Sequence, residues 1–75
     1  MLFEIACTDT PQCSVSFEPE GSLHTLREGD VFDVEVVGPG SGRVEIVFLP
    51  DGLIVGAWSG ADTRVRSKQR GELPT

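Results

Sequence analysis

Three side chains in this sequence have the types for metal or redox chemistry: Cys7, Cys13 and His24. Thiolate and imidazole bind zinc and similar metals, and two neighbouring thiols can close a disulfide. The cysteines stand with five residues between them, wider than the two-residue separation of the common zinc knuckle. A zinc site here needs His24 and a carboxylate such as Asp9 as further ligands. Three readings stay open for Cys7 and Cys13: buried reduced thiols acting as small apolar side chains, a cross-strand disulfide, or metal ligands. A Cys–His nucleophile needs a lowered thiol pKa and a third, orienting group. Acidic surroundings push a thiol the other way, and the spacing supplies no orienting residue.

The carboxylates invite the same question. Glu28 and Asp30 flank Gly29, and Asp33, Glu35 and Glu45 are predicted to share one sheet face. Arg43 falls in reach of Glu35, and Arg64 and Arg66 suit a neighbouring strand. This reads as a solvated, partly paired face, since an acid/base pair needs a substrate cleft between its members. The stretch Gly38 to Gly42 lacks the Lys and the following helix of a phosphate loop, and reads as a hairpin tip. No catalytic residue, cofactor or metal is assigned, and the chain is expected not to be an enzyme.

The elements that must hold these residues are strands. No 11-residue window carries the i, i+3, i+4, i+7 apolar pattern, while period-two alternation recurs along the chain. The expectation is an all-β fold: a small antiparallel barrel or two-sheet sandwich of about six to seven short strands joined by hairpins. Runs fall near 2–7, 13–18, 22–27, 31–37, 43–49, 53–59 and 63–67. Pairing Cys7 with Cys13 sets Ile5 opposite Val15 and Phe3 opposite Phe17. A second hairpin is predicted between 31–37 and 43–49. A third turns at Pro50-Asp51-Gly52, with Gly52 as a left-handed bulge and Leu49 opposite Leu53. That register predicts a core of Phe32, Val34, Val36, Val44, Ile46, Phe48, Ile54 and Trp58. Residues 1–67 form the predicted domain, and 68–75 a basic and polar tail.

The same register leaves Val47, Leu49, Leu53 and Val55 on the other face, which is too apolar for a plain solvated sheet. It is either covered by the N-terminal strands or presented to a protein partner or a second copy of the chain. The net charge is -6 over 75 residues, which argues against binding nucleic acid or an anionic membrane surface. Residues 63–75 carry Arg64, Arg66, Lys68 and Arg70 against Glu72 alone, so this basic segment is expected to lie along the acidic body. Five Arg to one Lys suggests a GC-rich, bacterial genome. No apolar run is long enough to span a bilayer and no basic leader precedes the first one, so the expected location is cytoplasmic. The functional expectation is a small acidic binding module. The alternatives are a metal-binding or redox protein using Cys7, Cys13 and His24, and an acidic mimic of nucleic acid.

Overall fold

The computed structural model describes residues 1–40 and 42–74. Ser41 of the Gly38 to Gly42 connection and Thr75 of the 68–75 segment lie outside the described residues. The strands are β1 (Leu2–Ala6), β2 (Gln12–Glu18), β3 (Ser22–Arg27), β4 (Val31–Val37), β5 (Glu45–Leu49), β6 (Gly52–Gly56), β7 (Asp62–Ser67) and β8 (Gly71–Leu73). The fold is all-β, as the alternation predicts, and no helix occurs among the described residues. The strands form two four-stranded sheets, ordered β1-β4-β7-β8 and β3-β2-β6-β5. Each sheet keeps two edges, so the structure is not a closed barrel. Every ladder is antiparallel except β2 with β6, which is parallel.

Two predicted hairpins are replaced by crossings between the sheets. β1 pairs with β4 rather than β2, and β4 pairs with β1 and β7 rather than β5. The side-chain faces were legible, but not the ladder partners. Ile5, Cys7, Val15 and Phe17 all point inward and are buried, because the two runs contribute to one core from opposite sheets. That core also takes Leu26, Phe32, Val34, Val36, Val55 and Val65. The hairpins that do form are β2–β3, β5–β6 and β7–β8.

The β5–β6 turn lies where predicted but is one residue tighter. Leu49 pairs with Gly52, leaving Pro50-Asp51 as a two-residue turn. Gly52 pairs with Ser14 of β2 at the same time, and a Cβ there would overlap the Ser14 backbone. The missing side chain therefore serves a close strand approach rather than a left-handed bulge. A one-residue shift exchanges the faces of β6. Val55 enters the core at 1% exposure, while Ile54 stays half-buried on the outer face. Val44 and Trp58 pack partly buried against the core, as predicted in kind, whereas Ile46 and Phe48 are exposed.

Residues 68–74 do not trail from the fold. β8 pairs with β7, and the turn between them is tied down at several points. The buried Ser67 hydroxyl accepts from the backbone N–H of Gln69 (3.2 Å) and of Arg70 (3.1 Å). The Gln69 side chain accepts from Val31 N–H (3.3 Å) and donates to the Gly29 carbonyl (3.1 Å). Arg70 reaches Asp30 at 3.6 Å and lies 5.8 Å from the centre of the Phe32 ring. Lys68 pairs with Glu4 at 2.8 Å. The basic segment does lie along the acidic body, as β7, β8 and the turn between them, with Lys68 on Glu4 and Arg70 on Asp30.

Candidate protein-binding edge

Residue by residue, β5 has no buried position: all five residues from Glu45 to Leu49 are exposed. Four of them are large and apolar, at 44% for Ile46, 39% for Val47, 81% for Phe48 and 44% for Leu49. Fully burying one such side chain contributes about 1.5–3 kcal/mol. A domain of this size has a total stability on the order of 5–10 kcal/mol. Phe48 left largely in water, and three further apolar side chains left about two-fifths exposed, are therefore a substantial fraction of what this fold has available.

The position of β5 explains the exposure. It lies at the edge of its sheet and, among the described residues, pairs only with β6. Ile46 pairs with Val55 and Phe48 with Leu53, which places them on the inner-face side; Val47 and Leu49 share the outer face with Ile54 and Gly52. The predicted strip is thus divided. Val47 and Leu49 remain exposed on the outer face, Leu53 is half-buried on the inner face, and Val55 is buried and presents no contact surface. Sequence reasoning placed Ile46 and Phe48 in the core. An apolar strand with no Gly and no Pro looks the same whether its sheet ends there or continues.

Edge strands in soluble proteins are usually short, charged or covered. Three of the four edges here follow that pattern. β8 is three residues long. β1 carries Glu4, paired with Lys68. β3 is flanked by C-terminal residues, with His24 Nε2 2.8 Å from the Pro74 carbonyl oxygen and Arg70 donating to the Thr25 carbonyl at 3.5 Å. β5 has Glu45 at its start and no charge after it until Asp51. A cavity of about 390 Å³ opens beside it, with Ile5, Ala6, Cys13, Leu26, Phe48 and Leu53 in its walls.

The cysteines and the histidine do not assemble a site of their own. Cys7 is buried and Cys13 half-buried, both as free thiols. The Cys7 thiol donates to the Thr10 carbonyl at 3.8 Å, and its interaction with the Cys13 thiol, then burial, then the nearby Cys13, Glu28 and Asp30 charges, push it up to about 11. A thiol held protonated at neutral pH is a weak nucleophile and a poor metal ligand. His24 points inward, with its ring edge-on to Phe17 (5.9 Å) and Phe32 (6.1 Å). Among the described residues no group of three or more His, Cys, Asp or Glu side chains is placed to hold a metal ion.

The charged face is that of the other sheet. In register, Glu35 stands opposite Arg64, Asp33 opposite Arg66, and Arg66 opposite Glu72. Arg64 and Arg66 take the places predicted for them. Arg43 precedes β5, which lies in the other sheet from the β4 strand that carries Glu35, so the two are not the cross-strand neighbours the sequence predicts. Lys68 holds the Glu4 carboxyl below its ordinary value by a hydrogen bond and by its charge. No helix among the described residues is long and apolar enough to cross a membrane. Compared with protein-family models, with curated proteins and with solved structures, the chain finds no match.

Proposed function

We propose that this chain is a small acidic, non-enzymatic binding module that holds a protein partner by strand addition at the free edge of β5. The observation that carries this reading is the exposure of all five β5 residues, four of them large and apolar. Added strands gain affinity from main-chain hydrogen bonds and specificity from alternate side chains. β5 offers both, with an apolar cavity alongside that can accept a side chain from the partner. The interleaved Arg and carboxylate positions of the other sheet weigh against a nucleic-acid mimic. The raised Cys7 pKa weighs against thiol chemistry at neutral pH.

The test compares immobilised wild-type protein with Val47→Lys and Phe48→Lys variants in capture from a cell extract. The expected result is a protein, untagged copies of this chain added to the extract included, retained by the wild type and lost from both variants, each folded by circular dichroism. Equal capture by all three would end the strand-addition reading.

A further inference from the structure

Building on the reading of β5 as a strand-docking edge, we infer that its occupant is β5 of a second copy of this chain, paired antiparallel about a two-fold axis at Val47. The phase of the hairpin comes first. With a two-residue turn, Leu49 and Gly52 form a hydrogen-bonded pair, so Glu45, Val47 and Leu49 turn their N–H and C=O groups toward β6. Ile46 and Phe48 turn theirs outward. An axis at Val47 sets Ile46 of one copy opposite Phe48 of the other, twice. Both residues of each pair have outward backbone groups, so each pair exchanges two N–H···O=C bonds.

The side chains agree with the same axis. Ile46 meets Phe48 on one face, and Val47 meets Val47 on the other. Glu45 lies opposite Leu49, and Arg43 comes level with Asp51, so opposite charges meet at both ends of the interface. An axis at Phe48 would instead set Glu45 opposite Asp51, and Ile46 opposite Pro50, which has no N–H to donate. An axis at Ile46 sets Arg43 opposite Leu49 and leaves the charges unmatched. Axes between residues oppose an outward backbone group to an inward one and build no ladder. The edge is thus self-complementary in one register, as a two-fold interface requires. The product is a continuous eight-stranded sheet, made from the β3-β2-β6-β5 sheets of two copies. The chain's charge of -6 opposes self-association, but salt screens such repulsion beyond about 8 Å at physiological ionic strength.

Sedimentation velocity of the full chain at that ionic strength is expected to show a dimer, and Val47→Lys a folded monomer. Val47→Cys and Leu49→Cys then test the register. Oxidised glutathione accepts two electrons and two protons from the paired thiols, forming the disulfide and two reduced glutathiones. At a non-hydrogen-bonded antiparallel pair the two Cβ atoms approach disulfide range, so V47C is expected to cross-link roughly ten-fold more than L49C. The wild type, run alongside, accounts for any linkage through Cys7 or Cys13. Cross-linking of L49C equal to that of V47C would overturn the register. A wild-type monomer whose Ile46 and Phe48 amides exchange freely would overturn the second copy while leaving the docking edge. A monomer in which those amides are strongly protected would overturn both.

Discussion

β7 and β5 are short strands of the same fold with inverted composition and burial. β7 reads Asp-Thr-Arg-Val-Arg-Ser and alternates strictly between exposed and buried, with Thr63, Val65 and Ser67 in the interior. β5 reads Glu-Ile-Val-Phe-Leu and has every residue exposed. The more polar strand helps form the core, and the more apolar strand sits outside it. The difference is position: β7 lies between β4 and β8, while β5 ends its sheet. A strand with neighbours on both sides satisfies its backbone whatever its side chains, and its inward positions are covered by the facing sheet. The small polar groups of β7 are tolerated because they are used; the Ser67 hydroxyl accepts the backbone donors of the turn that follows. The apolar groups of β5 have no such use within one chain, and this is the reason to look for their use outside it.

The sharpest break of this comparison is the same substitution made in both strands. Val65→Lys places an ammonium group where exposure is 1%, and is expected to leave no folded protein at ambient temperature, since an unpaired buried charge exceeds the stability of a small domain. Phe48→Lys, at 81% exposure within one chain, is expected to shift the stability of the single chain by about 0.5 kcal/mol or less, both proteins being compared at a concentration low enough to be monomeric. Urea titration followed by Trp58 fluorescence measures both. Equal effects would mean that β5 is covered in solution by its own chain.

Ser67→Ala is expected to cost about 1–2 kcal/mol, because two backbone donors at the β7–β8 turn lose their acceptor. A change near zero in thermal unfolding would show that the turn holds without the hydroxyl. The smallest effect belongs to the Glu4–Lys68 pair, whose side chains are more than half exposed. Glu4 is depressed from 4.5 in the folded protein, so its contribution is present above that pH and is lost as pH falls through the folded value. The melting-temperature difference between wild type and Glu4→Gln should be small at neutral pH and vanish in acid; persistence in acid would assign it to something other than the carboxylate.

Much of the face pattern was readable in advance. Phe32, Val34 and Val36 are predicted to face a core and do, and Ile5, Cys7, Val15 and Phe17, predicted to share one face, are buried together. Partners were not readable, because alternation says which side of a strand is wet and nothing about which strand lies beside it. The pairing of Cys7 with Cys13 was self-consistent in register, yet β1 and β2 lie in different sheets. The two thiols still meet, across the fold rather than along a ladder. The candidate strip was half legible. Val47 and Leu49 are exposed, but the turn at Pro50-Asp51 is one residue shorter than predicted, and this carried Val55 into the core.

By itself, the sequence determined the all-β character, the turn at Pro50-Asp51 and the inward faces of β1, β2 and β4, because these follow from local alternation, Gly and Pro chemistry and side-chain size. Tertiary structure alone decided which strands end a sheet, which glycine admits a neighbouring backbone, and that residues 71–73 close one sheet while β5 stays open. Those outcomes depend on contacts between residues far apart in the chain. Gly52 against Ser14 is the clearest case: no property of either segment alone brings them together, and their meeting seats β6 between β2 and β5, which leaves β5 at the edge of the sheet.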